Sequence, residues 1–465
     1  MPYVEGFGTW PFGEEWLFEA VATVYVPLLE VLAGAPVTLT VTPVLADQLE
    51  ALRDGDSRER YLSFLRDVRA PIHAEDAAGL DRTGRPELAA ELRRAAGDYE
   101  RADSGFEAIG RDLLGALRAL DGLELWTSAA THAVLPMLAT EPGVALQVAA
   151  AVASHRRRFG RWEGGFWLPE CAYAPGLEAD LAEQGVRVFC VDQTDALGLG
   201  SLDQLEPVMT PEGLVAVPID WQTVGRVWDV EHGYPVSGAY RDYHARTLHD
   251  LRPWNIDGGP YVHDDALELA GRHARDFVES VGARLDDYAD ARGGQGVVCC
   301  AIDTELFGHW WYEGQDWLSG VIAEADTAGV ELLTVSDAVA RSTPVRRELA
   351  ASSWGTPKDL TTWDSPAVAE LAFAQRRAEL RLVAAATAFG TDERRLARAA
   401  RELLALQSSD WAFQVTRELA ADYPLRRAHE HEATLEAALR PSTPVPDPRL
   451  RNLQPELDLS PLLSP

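Results

Sequence analysis

Two carboxylates stand at the ends of apolar, strand-like runs: Glu170 in "GFWLPECAY" and Asp303 in "VVCCAIDTELFGHWW". Ionising a carboxyl in such surroundings is costly, so the group is either paired with a cation or kept there to react. Two carboxyls delivered by different strands to one end of a barrel can face each other across a cleft. Hydrolysis or transfer of a glycosidic bond needs such a pair, one as nucleophile or base and the other as acid. Structural carboxylates also occupy strand ends, and Asp192 and Asp220 close two further runs. The flanks single out the first two. Trp167 and Tyr173 lie beside Glu170, and Trp310 and Trp311 beside Asp303, supplying aromatic faces of the kind a sugar groove requires.

The elements that must position these groups follow from the hydrophobic pattern. Short β-rich runs alternate with helix-like segments: "VTLTVTP" (37–43), "LELWTS" (123–128), "GFWLPE" (165–170), "VRVFCVD" (186–192), "LVAVPID" (214–220), "GVVCCAID" (296–303) and "VELLTVS" (330–336). This alternation predicts an α/β fold with a mostly parallel sheet, and seven runs predict a closed or nearly closed barrel over 1–345. Polar residues at the C-terminal strand ends are where parallel α/β folds assemble their sites. Residues 45–120 have apolar positions at three- and four-residue spacing and read as a helical insertion. Residues 346–440 turn into long Ala/Leu/Glu/Arg helices and predict an all-helical domain; the Pro-rich tail 441–465 reads as extended or disordered.

Bulk properties exclude several classes. A chain of 465 residues, 46% apolar and 25% charged, has room for one barrel-sized domain and a smaller one. Lys plus Arg number 42 against 73 Asp plus Glu, a net charge of −31, which disfavours nucleic acid and anionic membrane surfaces and suits a neutral substrate. Cys171, Cys190, Cys299 and Cys300 lie in apolar runs without metal-ligand spacing, the pattern of buried free thiols in a reducing compartment. The opening "MPYVEGFGTW" has no basic or apolar leader, and no apolar run approaches the ~20 residues that span a bilayer. A cytoplasmic protein is expected. Several of its 14 Trp sit beside Gly, Pro or acidic residues, as in "HWWYEGQDW", outside periodic core patterns.

With these motifs in place, the chain resembles glycoside hydrolase family 57, above all its 1,4-alpha-glucan branching enzyme subgroup. "GFWLPECAY" and "DTELFGHWW" are similar to the family's nucleophile and acid/base motifs; "YVEGFGTWPFGEEWLFEAVATVYVPLL" resembles its N-terminal region, and "GLELWTSAATHAVLPML" its second conserved region, with Glu124 and His132 in the matching places. "VWDVEHGYP" followed by "YRDYH" is similar to the branching-enzyme loop, and "SSWGTPKDLTTW" and "LLALQSSDW" to the C-terminal motifs. The resemblance implies a (β/α)7-type barrel with a C-terminal helical domain and a retaining mechanism, whose two carboxyls stand roughly 5–5.5 Å apart. It makes Glu170 the nucleophile and Asp303 the acid/base. It implies substrate contacts at His132, Trp167, Tyr234, Trp254, Trp354, Trp363, Asp410 and Trp411, with Tyr234 on a loop shielding the glycosyl-enzyme from water. The implied partner is an alpha-glucan such as glycogen, amylose or a maltooligosaccharide, with no cofactor and no metal.

The chain departs from the family in two places. The family's first motif is His-x-His followed after one residue by Pro-Tyr-Val, whereas this chain opens "MPYV". The expectation is an upstream in-frame segment ending in His-x-His; without it, neighbouring strands carry unpaired edges and the site lacks two polar ligands. After Gly-Tyr-Pro the loop runs "VSGAYRDYH" instead of continuing with Gly-Asp, which leaves alpha-amylase and 4-alpha-glucanotransferase chemistry open. Two rivals remain: a metal-dependent carbohydrate hydrolase or deacetylase using Asp303, His132 and His309, and a non-catalytic glucan-binding protein. The first lacks a close-set His pair such as HExxH.

Overall fold

The computed structural model describes residues 1–9, 12–388, 392–440 and 448–463. Its strands are β1 (Thr38–Thr40), β2 (Glu124–Ser128), β3 (Gly165–Trp167), β4 (Val188–Val191), β5 (Val208–Met209), β6 (Val215–Pro218) and β7 (Val345–Arg346). They form one sheet in the order β1-β2-β3-β4-β6-β5-β7. Pairing is parallel from β1 through β4 to β6, while β5 runs antiparallel to β6 and parallel to β7. Parallel neighbours need a crossover, which the helices Glu141–Phe159 (β2 to β3) and Leu177–Glu183 (β3 to β4) provide. Every residue of β4 and β6 is buried, as in a sheet covered on both faces.

Five of the seven strand candidates are strands. The other two differ. Segment 296–303 meets the sheet at a single bridge, Cys299 to Ile219, where the Asp220 N–H donates to the Cys299 carbonyl at 3.0 Å. Segment 330–336 runs into the helix Val335–Arg341, and its N–H groups go to side chains: Val335 N to Thr38 Oγ1 (2.9 Å) and Ser336 N to Glu124 Oε2 (3.3 Å). The apolar pattern was the same, but a ladder also needs a partner edge. Among the described residues no strand pairs with the far side of β1. Both segments line, with Leu39 and Val41, a cavity of about 2250 Å³. In exchange, the two-residue strands β5 and β7 are too short to carry any alternation.

The 45–120 stretch is helical, with helices Pro43–Ala51, Gly55–Ser63, Ala70–Arg82, Pro86–Ala108 and Leu113–Arg118. Tyr61 anchors their core between Phe18 and Phe106. Four helices, Ala369–Thr387, Glu393–Leu406, Ser409–Thr416 and Tyr423–Leu439, follow the barrel region. Their core of Leu382, Leu403, Leu404, Trp411 and Leu435 also takes in Ala130, Val134 and Leu146, so the helices dock on the end of the barrel beside β2. The tail corrects the sequence reading: residues 441–447 lie outside the described residues, but 448–463 pack on the body. Leu450, Leu453 and Leu462 are buried, and the Gln454 N–H donates to Asp47 Oδ2 at 2.9 Å. A Pro-rich segment with leucines at intervals of a few residues has apolar surface enough to dock. Cys171, Cys190 and Cys299 are buried free thiols, whereas Cys300 is an exposed free thiol on the cavity wall. Among the described residues no helix is long and apolar enough to cross a membrane.

At the end of β6, Asp220 is fully buried and paired with Arg284 at 3.0 Å, with Thr223 Oγ1 donating to it at 2.5 Å. Removing one member strands the other's charge in the interior. Arg284→Met is expected to lower unfolding free energy by about 3–5 kcal/mol in denaturant titration, and the double change Asp220→Asn/Arg284→Met by clearly less.

Candidate active site

β3 ends at Trp167, and the chain then turns through Pro169–Cys171, with Glu170 at φ +60° and Cys171 at φ +51°. Two adjacent non-glycine residues in the left-handed region cost on the order of 1–3 kcal/mol each, and persist only where their surroundings over-determine them. Here the Cys171 N–H donates to the Leu168 carbonyl (2.8 Å), Tyr173 and Ser352 exchange backbone hydrogen bonds (2.9 and 3.0 Å), and Pro169 and Cys171 are buried. The turn lifts the Glu170 carboxyl off the sheet into the cavity. His132, at φ +59°, is presented by a similar turn after β2.

Glu170 is held by donors, with no lysine or arginine partner among the described residues. Trp354 Nε1 donates to Oε2 at 3.2 Å, the Ser409 hydroxyl hydrogen-bonds the carboxylate, and His132 Nδ1 stands 3.6 Å from Oε1. His132 Nδ1 is also 2.9 Å from Ser409 Oγ. Burial raises the Glu170 carboxyl above the usual range and the Asp410 charge adds to this, against the hydrogen bonds from Ser409 and Trp354. Burial, followed by the approach of the Met1 α-amino group, lowers the His132 imidazole to about 4, so it is neutral at pH 7.

Asp303 precedes the turn Thr304–Leu306. Its side chain is exposed and opens into the cavity within the body of the protein. Burial first, then the charges of Glu305 and Glu170, push it up to about 8. Glu305 accepts from the Tyr25 hydroxyl at 2.6 Å. The contrast with the carboxylates just beyond β4 and β6 separates the two kinds: Asp192 is paired with Lys358 and Asp220 with Arg284, each at 3.0 Å. Among the described residues neither Glu170 nor Asp303 has a lysine or arginine at ion-pair distance. A proton-holding carboxyl beside a carboxyl steadied by donors can run acid and nucleophile chemistry on one substrate.

Of the expected site residues, His132, Trp167, Glu170, Asp303, Trp354, Trp363 and Asp410 all line the one cavity. Trp167 and Trp354 meet edge to face at 4.9 Å, while Trp363 is buried and belongs also to the core of the C-terminal helices. Asp410 accepts from Ser408 Oγ at 3.0 Å, and the Met1 α-amino group is 3.7 Å from it. Three residues are not brought to the cavity. Tyr234 is buried, stacked on His273 at 4.5 Å, its hydroxyl donating to Asp276 at 2.5 Å. Trp254 belongs to the turn that bridges to Pro260, and Trp411 is fully buried with Nε1 donating to the Ala405 carbonyl at 2.8 Å. Among the described residues no group of three or more His, Cys, Asp or Glu side chains could hold a metal ion. Sequence reasoning missed Ser409, Glu305 and Lys358. Only the last carries a sequence signal: it is the single lysine among 42 basic residues.

Comparison with known proteins meets this geometry. The family model described as "Glycosyl hydrolase family 57" matches residues 1–350, and that described as "1,4-alpha-glucan branching enzyme, C-terminal" matches 373–442. A Mycobacterium tuberculosis protein named "Probable 1,4-alpha-glucan branching enzyme" is 34% identical over 489 aligned positions, covering 94% of this chain and 90% of its own. The 1,4-alpha-glucan branching enzyme of Thermococcus kodakarensis is 33% identical, over 93% of this chain and 70% of its own. The crystal structure of the GH57-type branching enzyme from Pyrococcus horikoshii superposes with a TM-score of 0.92 at 31% identity, over 100% of this chain and 95% of that one. Matched along its length by the family model and by these relatives, the chain belongs to glycosyl hydrolase family 57.

Proposed function

We propose that this chain is a retaining 1,4-alpha-glucan branching enzyme with Glu170 as nucleophile and Asp303 as acid and base. The observation that carries the reading is the pair of carboxyls, one beyond β3 and one closing segment 296–303, that stand on one tryptophan-lined cavity with no lysine or arginine partner among the described residues, one of them raised to about 8. Glu170 attacks the anomeric carbon as the bond to the leaving O4 breaks, and Asp303 gives its proton to that oxygen. Asp303, now ionised, takes the proton from a 6-hydroxyl of a second glucan segment, whose oxygen displaces Glu170. Two inversions return the original anomeric configuration. His132 and Asp410 hydrogen-bond sugar hydroxyls, and Trp167 and Trp354 stack on sugar faces, with the buried Trp363 backing the cavity wall. The substrate is a neutral alpha-glucan, in keeping with a net charge of −31 and a cytoplasmic location.

A second reading has one observation in its favour. Tyr234, expected over the active site, is instead buried on the helix His263–Arg292, and a glycosyl-enzyme left open to water is hydrolysed. Proton NMR of amylose incubated with the enzyme distinguishes the two. Growth of the α-1,6 anomeric signal, abolished in Glu170→Gln, is expected. Reducing ends without that signal would make the chain a hydrolase or an α-1,4 transferase, and glucan binding without turnover would make it a non-catalytic module.

The titration order predicts the pH profile. Glu170 must be ionised, so activity rises with pH through a value above the usual carboxylate range; Asp303 must be protonated at the first step, so activity falls as pH passes about 8. Asp303→Asn is expected to cut kcat by about 10²–10⁴-fold, with the descending limb near 8 lost from its residual activity. Activity is expected to survive dialysis against a strong chelator, measured with the same NMR assay.

A further inference from the structure

Arginine fills every basic position in the chain but one, and the exception is Lys358. The two residues are not interchangeable: arginine spreads its donors over a planar fork, whereas lysine aims three N–H bonds from a single nitrogen. Lys358 uses that geometry. Its Nζ lies 3.0 Å from Asp192 Oδ2, donates to the Trp354 carbonyl at 3.0 Å, and sits 3.0 Å from the centroid of the Trp221 ring. A carboxylate, a carbonyl and an aromatic face thus surround one ammonium. Asp192 closes β4, Trp221 opens the helix after β6, and Trp354 belongs to the loop laid over the Glu170 turn.

That loop is fixed to the turn at both levels of structure. The Ser352 and Trp354 N–H groups donate to the carbonyls of Tyr173 (3.0 Å) and Glu170 (3.1 Å), and Ser353 N–H to Lys358 O (3.2 Å). Its indole, through Nε1, reaches the Glu170 carboxylate. The Asp192 carboxylate is fully buried, and its other oxygen accepts from the Thr194 N–H at 2.9 Å, so it is an immobile anchor.

We infer that Lys358 is a positioning residue for Glu170: braced on Asp192 and Trp221, its ammonium grips the Trp354 carbonyl and holds the indole N–H on the carboxylate that attacks the sugar. The inference rests on the reading of Glu170 as nucleophile. Its consequence is electrostatic as well as geometric. The Trp354 hydrogen bond favours the ionised carboxylate, so releasing the loop lets the Glu170 pKa climb. The other groups facing Glu170 are the Asp410 and Asp303 carboxylates, the His132 imidazole, the Ser409 hydroxyl and the Met1 α-amino group. None is altered by changes at 358 or 192.

The test is the pH dependence of kcat/KM for branching in Lys358→Met, in Asp192→Asn/Lys358→Met and in Trp354→Phe, each checked for folding by thermal unfolding. The double variant removes both charges, which guards against a single variant that fails to fold around an unpaired Asp192. The rising limb is expected to move up by about one pH unit in all three. Combining Lys358→Met with Trp354→Phe is expected to add no further shift, because both act through one hydrogen bond. Folded variants that lose activity equally at every pH, or that keep the wild-type limb, would reduce Lys358 to a structural ion pair. Glu170→Gln, run alongside, separates the two ideas. If it remains active the nucleophile reading fails; if it is dead while the limb stays put, only the role of Lys358 fails.

Discussion

A carboxyl set among apolar segments inside a protein is cut off from much of its water, and the fold must answer for each one. Asp220 takes Arg284, Asp192 takes Lys358, and in both cases a full opposite charge stands 3.0 Å away. Glu170 takes mainly dipoles, from an indole, a hydroxyl and a neutral imidazole nearby, with a smaller pull from the Met1 α-amino group, and Asp303 takes the proton itself. These are the three ways a low-dielectric interior tolerates a carboxyl, and they differ in what is left over for chemistry. A carboxylate neutralised by a fixed cation is inert. One steadied by dipoles stays ionised and nucleophilic, and one that keeps its proton to about pH 8 can give it away.

The dipoles that steady Glu170 come from beyond the sheet, which ties the site to the way the chain's two ends of sequence meet. Ser409 opens the helix Ser409–Thr416; its N–H donates to the His132 carbonyl at 3.1 Å, Ser408 bridges Ala133, and Gln147 on the barrel helix donates to Gln407 at 2.9 Å. Trp363 is at once core for the C-terminal helices and wall for the cavity. The helical region therefore shapes the site by the same contacts that bury its own apolar face. Undocking it would strip Glu170 of its hydroxyl donor and expose the left-handed turn to relaxation.

Much of this was legible in the sequence where the signal was local. Continuous apolar runs such as "VRVFCVD" become fully buried β4, and Glu170, Asp192 and Asp220 fall just beyond the ends of β3, β4 and β6. Seven of the expected site residues, including Trp354 and Asp410 from far along the chain, meet in one cavity. What was not legible depended on partners. "GVVCCAID" and "VELLTVS" have strand composition, but a strand exists only when another edge accepts its hydrogen bonds. Tyr234 and Trp254 sit in Gly- and Pro-rich turns whose direction is set by tertiary packing, so nothing in "HGYP" or "RPWN" distinguishes a loop over a cavity from one packed on a helix. In the tail a few leucines stand among many prolines, so composition alone does not separate a docked segment from an extended one.

Lys358 shows a different kind of legibility, in which a residue is conspicuous by its rarity within its own chain. Where a sequence writes arginine almost everywhere, a lone lysine marks a place at which the planar guanidinium does not serve. The position it occupies supports that logic, since a tetrahedral ammonium between a carboxylate, a carbonyl and an indole face has no planar equivalent. The constraints around Glu170 are nested: strain is stored in the 170–171 turn, the 352–358 loop clamps it by backbone pairing, and the ion pair of Lys358 with the buried Asp192 fixes the clamp. Precision at the carboxylate is thus the sum of constraints that lie one and two contacts away from it.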